Sequence, residues 1–354
     1  MEREEVAGAL RGARSRIVAE LLEIDGFGGP RDQVRAGLEA VVDDLATAVQ
    51  FSSSGLTDRA LSWWKVRVRA LGGDPRQVVL LPGYLLPLAA RFVPELALPT
   101  LEALLAHADQ VVAHAPERAP VGADLHPSLV PGGLGRELAD AMCGGDRTAA
   151  AAIPARHGAE PSACLRDGLE PALREYGARW QNGELDPAVE HVASRIASEL
   201  VAHAARQVPE PPGDAPLVAL VRAAGDEHSL GQACLRVHLA AHGLRSRVLP
   251  GDGRLQDVLA MVAAVGASAV AISCTLTRQL EAARDLVAAI RRSELAAMPV
   301  LLGGGMFVDV PQLASQLGAD ATAVDGEQAA AELARLLGVA VPMHDGAQRP
   351  DRSG

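Results

Sequence analysis

The sequence predicts a chain of three parts, two all-α regions followed by an α/β region with a parallel sheet. Residues 1–207 carry apolar residues at helical spacing, broken by Gly, Pro and Ser clusters, with no run that reads as strand. From residue 217 onward three short apolar runs, 217–221, 269–272 and 299–302, each end in a polar or Gly-rich turn and lead into an amphipathic helical pattern. Such runs read as parallel strands buried on both faces, because crossover helices cover a parallel sheet from above and below.

Taken in order, residues 1–116 read as a helical dimerisation or effector domain with helices over 5–24, 31–51, 58–71, 75–92 and 101–114. Pro82 and Pro87 are expected to kink or break the fourth helix, and Thr57, Asp74 and Thr100 stand where N-caps belong. Leu61, Trp64, Val68 and Leu71 recur on one helical stripe, with Trp63 on a neighbouring one. The Trp pair reads as core packing or a subunit interface. Residues 117–133, rich in Pro and Gly, read as a linker. Residues 134–207 then read as a four-helix bundle over 134–143, 147–157, 161–180 and 187–206, kinked at Pro171 and capped at Asp186 before Pro187. A second linker, 208–216, leads to the sheet region 217–338 and a flexible tail, 339–354.

Bulk properties exclude several classes of function. The net charge is -11, and residues 1–116 hold 15 acidic against 12 basic side chains, which opposes direct binding of nucleic acid. No 18-residue apolar run and no charged-then-apolar leader is legible, so neither a membrane span nor a secretory signal is expected, and a cytoplasmic location is. Cys143, Cys164, Cys234 and Cys274 form no C-x-x-C pair and are expected to be reduced and structural, with Cys274 beside a strand-end Ser273. No Ser-His-Asp or paired-carboxylate pattern occurs in a convincing context, so the chain is not expected to be an enzyme.

The chemistry gathers at the strand ends. The first run is followed by Asp226-Glu227-His228-Ser229-Leu230-Gly231, the second by Ser273-Cys274-Thr275 and the third by Gly303-Gly304-Gly305. In an open parallel sheet these carboxyl ends form one edge, where ligands sit. A neutral imidazole binds first-row transition metals, with an affinity tuned by what its second nitrogen meets. Asp226, two residues before His228, can accept that N–H. Gly231 removes a side chain where a large ligand would pass, Ser273 can donate to a ring nitrogen, and Gly303 and Gly304 let backbone approach a flat heterocycle. A solvated loop histidine in a flavodoxin-like domain is the alternative. His238 and His242, at i and i+4 with no third ligand evident, read as surface residues, and no Lys-Ser/Thr pair follows the Gly run as a phosphate loop would require.

These residues resemble the base-off, His-on cobalamin-binding domains, whose pattern is D-x-H-x-x-G, S-x-T or S-x-L, and G-G. Here 41 residues separate Gly231 from Ser273 and 27 separate Thr275 from Gly303. The resemblance implies a Rossmann-like (flavodoxin-like) domain in which His228 is the lower cobalt ligand, with Asp226, Gly231, Ser273, Thr275, Gly303 and Gly304 around the cofactor and its nucleotide tail. It also implies that the bundle covers the upper face of the corrin.

Within the bundle Trp180 is followed after nine residues by Glu190-His191. This W-x9-E-H pattern resembles the cobalamin-dependent photoreceptors of the CarH type. It implies a light-responsive regulator holding adenosylcobalamin, with methylcobalamin and hydroxocobalamin as other forms. Trp180, Glu190 and His191 would lie over the upper ligand, and His191 could take the upper cobalt position. The residues alone also allow core packing for Trp180 and a helix-dipole pairing for Glu190. Two departures stand out: an acidic helical domain replaces the family's DNA-binding helix-turn-helix, and Gln181 stands where relatives carry a ligating His. A homo-oligomer and a protein partner are therefore expected, without DNA. The other readings are a corrinoid carrier of a methyltransferase system and a light-independent cobalamin sensor or store.

Overall fold

In the computed structural model, which describes residues 2–24, 26–119 and 132–339, the chain opens with helices α1 (Glu2–Leu21), α2 (Arg31–Phe51), α3 (Ser54–Ala70), α4 (Arg76–Ala89) and α5 (Leu98–His114). Their apolar stripes meet in one core that includes Leu10, Leu38, Leu45, Leu61, Trp64, Leu81 and Leu101. The Leu61, Trp64, Val68 stripe points inward, while Trp63 stays 38% exposed. A close crossing of α2 and α3 depends on Gly37, where a Cβ would lie 2.2 Å from the Trp64 ring. Most of the expected linker 117–133 and all but Val339 of the expected tail lie outside the described residues.

Cap chemistry differs from the sequence expectation at two joints, and at one of them Thr100 lies inside α5, which starts at Leu98 with Ala97 in the cap position. Ser52 ends α2 in the left-handed region (φ 51°), and its N–H returns to the carbonyls of Ala48 and Val49. The chain re-enters a helix at Ser54, so Thr57 is buried inside α3 and does not cap it. Asp74 does meet a free N–H, its Oδ1 accepting from Arg76 at 3.0 Å.

The second layer is the bundle, α6 (Gly133–Cys143), α7 (Arg147–Arg156), α8 (Pro161–Cys164), α9 (Glu170–Gln181) and α10 (Pro187–Ala205). A five-residue π-helical turn, Leu165–Leu169, separates α8 from α9. Pro171 accounts for it: the ring has no N–H and would crowd the carbonyl four residues back, so the ladder widens just before it. Asp186 caps α10, accepting from Ala188 N–H at 2.8 Å.

The third layer is a five-stranded parallel sheet in the order β2-β1-β3-β4-β5. Its strands are β1 (Leu217–Arg222), β2 (Arg245–Leu249), β3 (Ala269–Ser273), β4 (Val300–Gly303) and β5 (Ala321–Thr322), interleaved with α11 (Leu230–Ala241), α12 (Leu255–Ala264), α13 (Leu280–Arg291), α14 (Gly305–Asp309), α15 (Gln312–Gln316) and α16 (Gly326–Leu336). The three apolar runs are the three central strands. The edge strands are weaker in sequence, β2 because it reads Arg-Ser-Arg-Val-Leu and β5 because it has two residues. Strand order reverses between β1 and β3, and their carboxyl ends therefore open a crevice. Ser273 pairs with Arg222 on one side and Gly303 on the other, so the three strand ends lie in adjacent register.

The layers share cores. Ala48 and Leu56 of the N-terminal helices are buried among Val221, Ile272, Phe307 and Val310 of the sheet region. Cys234 and Val237 of α11 are buried in the bundle's core.

Gly37→Ala should lower stability by about 1–3 kcal/mol through overpacking against Trp64. Denaturant unfolding of the full chain measures this, and an unchanged midpoint would mean that α2 and α3 are not held this close.

Candidate functional site

Asp226 follows β1 in a turn that Gly225 makes possible with a φ of 79°. Its side chain is fully buried, whereas that of His228 is 57% exposed. Asp226 Oδ1 accepts from the backbone N–H of His228 at 3.0 Å and lies 2.8 Å from its Nδ1. Asp226 Oδ2 accepts from the Thr275 hydroxyl at 3.0 Å. Burial alone would raise the carboxyl, but these bonds outweigh it and hold Asp226 below the usual carboxylate range. The hydrogen bond to Asp226 in turn raises His228 against its partial burial. With Nδ1–H committed to Asp226, Nε2 is the nitrogen left to a ligand.

A side chain that sequence reasoning missed organises the facing loop. Gln279 Oε1 accepts from the N–H groups of Thr275 and Leu276, both at 2.9 Å, and its Nε2 donates to Gly225 O at 2.9 Å. It ties the β1 and β3 loops together from a buried position. Its only sequence signal is its place four residues after Thr275. Asp252, also missed, accepts from Gly225 N–H at 2.9 Å.

Beside this pair a cavity of about 320 Å³ lies between α9 and the carboxyl edge, lined by Gly231, Ser273, Gly303 and Gly304 on the sheet side and by Leu173 and Arg174 on the bundle side. A Cβ on Gly231 would meet nothing within 4 Å, so a side chain there would occupy open space beside the loop. At Gly304, with φ 97°, a Cβ would lie 2.5 Å from Cys274 O. The structure thus gathers Ser273, Gly303, Gly304 and Gly231 around one cavity, and Asp226, His228 and Thr275 in one hydrogen-bonded set.

The bundle residues stand apart from this cavity. Trp180 packs against Trp63, ring centroids 6.4 Å apart, with the Arg67 guanidinium 4.9 Å from its ring centre. Glu190 Oε2 is 3.5 Å from His191 Nδ1, and its other oxygen accepts from the Ser194 hydroxyl at 3.4 Å. None of Trp180, Glu190 and His191 is among the residues lining the cavity.

His238 and His242 are not on the surface as expected; both are buried. Packing of α16, α10 and α8 against α11 covers the stripe that carries both histidines, and carboxylates from the start of α9 and from α16 compensate. His238 Nε2 is 2.9 Å from Glu170 and its Nδ1 3.0 Å from Glu327, which also stands 2.8 Å from His242 Nε2. Burial opposes charge on His238, but hydrogen bonds to Glu170 and Glu327 push it up to about 9. Hydrogen bonds from His238 and His242 hold Glu327 far below its usual range. The cysteines are buried or half-buried, and burial raises every thiol, to about 12 at Cys274 and about 11 at Cys164, so none is a ready thiolate. Among the described residues no helix is long and apolar enough to cross a membrane.

Among the described residues no group of three or more His, Cys, Asp or Glu is gathered to hold a bare ion. A single oriented imidazole beside a glycine-lined cavity suits a metal whose other ligands arrive with it. A family model described as a B12 binding domain matches residues 216–334, and another of the same description matches 134–204. These two stretches of the chain therefore match B12 binding domains. The dimethylamine corrinoid protein of Methanosarcina barkeri is 26% identical over 207 residues, spanning 57% of this chain and 96% of that protein. Dimethylamine corrinoid protein 2 of Methanosarcina mazei is 23% identical over 209 residues, again 57% and 96%. The monomethylamine corrinoid protein structure from Methanosarcina barkeri shares the fold, with a TM-score of 0.50 and 20% identity over 56% of this chain and 96% of that one.

A pH prediction follows from His238. A raised histidine contributes stability that is fully present below its unfolded value, about 6.5, and that is lost as pH rises toward about 9. The Tm difference between the wild type and His238→Gln should be largest near pH 6 and close as the pH passes 9. A difference constant across that interval would mean that His238 carries no charge between its two carboxylates.

Proposed function

We propose that the protein is a corrinoid carrier, one that holds cobalamin and presents it to a methyl-transferring partner protein. The observation that carries this is the Asp226–His228 pair beside the glycine-lined cavity, in a chain whose bundle and sheet match corrinoid proteins over nearly their whole length. When bound, the corrinoid supplies a cobalt able to accept and release a methyl group.

The chain's own residues supply position. Asp226 keeps Nδ1 of His228 protonated and fixes the ring plane, so that Nε2 would be the nitrogen to hold the cobalt. Thr275 and the backbone N–H of His228 use the remaining acceptor positions of Asp226, which keeps that carboxylate ionised. Ser273, Gly303, Gly304 and Gly231 leave room for the nucleotide tail. The protein in this reading orients and shields its cofactor, and the partner performs the transfer.

A light-responsive adenosylcobalamin site is the second reading. Trp180 favours it, because its contacts with Trp63 and Arg67 would carry a change at the site into the N-terminal helices. The carrier reading ranks first because Trp180, Glu190 and His191 line no part of the cavity.

Full-length protein labelled with 15N-histidine, loaded with hydroxocobalamin and reduced to Co(II), should show the two-line splitting of a 15N ligand in its electron paramagnetic resonance spectrum. His228→Ala should lose the splitting and bind the corrinoid about 10- to 100-fold more weakly. A variant that retains the splitting removes His228 from the lower position. Transfer of methyl from the methylcobalamin form to a thiol, dependent on an added methyltransferase, supports the carrier. A dark-versus-green-light change in the size-exclusion profile of the adenosylcobalamin form, without such transfer, would replace it with the sensor.

A further inference from the structure

The N-terminal helices lie outside both B12-binding matches, which begin at residue 134, yet they touch both halves of the matched region. Their contact with the sheet is a shared core. Ala48 and Leu56 are buried there, and polar contacts surround them. Arg59 Nε donates to Asp309 at 2.5 Å, Arg11 Nη1 donates to Glu281 at 3.0 Å, and Asp44 hydrogen-bonds Thr277. Asp309 ends the helix that follows the Gly303–Gly305 turn, and Thr277 lies two residues after Thr275. This attachment therefore sits on the carboxyl edge itself.

The contact with the bundle is of another kind. It consists of Trp63 and Arg67 against the last turn of α9: Trp180 lies between them, Arg67 Nη1 donates to Trp180 O at 3.4 Å, and Gln181 Nε2 donates to Trp63 O at 3.3 Å. Beyond it, Asn182 Oδ1 accepts from Ala119 N–H at 2.8 Å and Arg118 pairs with Glu184. Trp63 keeps 38% of its surface exposed, so this seat is a rim contact and not a core. Helix α3, about 25 Å long, thus runs from the sheet edge at Arg59 to the bundle at Arg67.

The cavity beneath has the size of a small drug site, about 320 Å³, and a complete corrinoid with its nucleotide is far larger. Leu173 and Arg174 of α9 form its outer wall, with Arg174 donating to Val324 O at 2.7 Å. Corrinoid entry therefore requires α9 to withdraw from the edge, and the same helix carries Trp180 at its far end. A rigid helix cannot retreat at Arg174 and keep Trp180 seated.

Resting on the corrinoid reading above, we infer that the N-terminal helical region is a fixed wall of the site, and that Trp63 and Arg67 form the seat on which the bundle closes through Trp180. The core contact keeps the wall on the sheet, and the rim contact releases when the bundle opens. A cation over an indole face and a neighbouring indole are each modest contributions, suited to a joint that must open.

The test uses the full chain, in which Trp63 meets both Trp180 at the seat and Trp64 on its own helix. Hydrogen exchange at residues 176–181 of the wild type should rise when hydroxocobalamin binds, because Trp63 and Trp180 separate. Trp63→Ala and Arg67→Met, with far-ultraviolet spectra checked for folding, should take up hydroxocobalamin about 5- to 10-fold faster in stopped flow. Arg67→Lys should restore part of the slow uptake. Hydrogen exchange of the apo variants should rise at residues 176–181 and stay unchanged at Ala48 and Leu56. Uptake at the wild-type rate in both variants overturns the seat while leaving the corrinoid reading intact. No uptake by any form overturns both.

Discussion

Asp226 is the constraint on which the site depends. A carboxylate without solvent must be met by donors or give up its charge. Here the donors come from its own turn and from the loop after β3, which binds the two central strand ends to each other. The cost of burial is also what fixes the tautomer of His228. An exposed aspartate would exchange partners with water, and the imidazole would then rotate freely. Gln279 repeats the device at one remove, joining the same two loops through three hydrogen bonds.

A similar rule governs the junction of bundle and sheet. His238 has no solvent contact, and its charge is tolerable only because Glu170 from the bundle and Glu327 from α16 flank it. Breaking such a set from one side leaves charge uncompensated, so the three helices hold each other by mutual need rather than by net gain. Glu170 also faces Gly326, the close approach that a Cβ would obstruct at 2.8 Å from its Oε1. The bundle is therefore keyed to the sheet beside the cavity and not at a distance from it.

Much of this was legible in the sequence because its causes are local. Apolar runs of strand length, glycines at forced turns and an Asp two residues before a His are readable without a fold, and the parallel sheet and the helical layers followed from them. The edge strands β2 and β5 were not, since an edge needs little apolar character and two residues carry no period. His238 was misread because its solvation depends on α9, 68 positions away in its contact with Glu170. Gln279 was invisible for the same reason: an amide that satisfies backbone groups of two loops has meaning only after those loops meet. Trp180 was legible as an exceptional aromatic, but the sequence could not indicate that Trp63 and Arg67 would be its neighbours.

The distribution of apolar and polar contact among the three layers then indicates which joints are permanent. Ala48 and Leu56 are in the sheet region's core, and removing them from it would expose apolar surface at about 25 cal/mol per Å². Cys234 and Val237 join bundle to α11 in the same manner, so the base of the bundle is fixed as well. At the far end of α9 the contacts are instead hydrogen bonds of Arg67 and Gln181 to carbonyls, the Ala119–Asn182 hydrogen bond, the exposed Arg118–Glu184 ion pair and partly exposed rings. Salt and water can replace such contacts at little cost. A body fixed at its base and more lightly held at its tip moves by pivoting, so the greatest displacement falls at the last turn of α9 against Trp63 and Arg67, and the cavity wall at Leu173 and Arg174 moves with it by less.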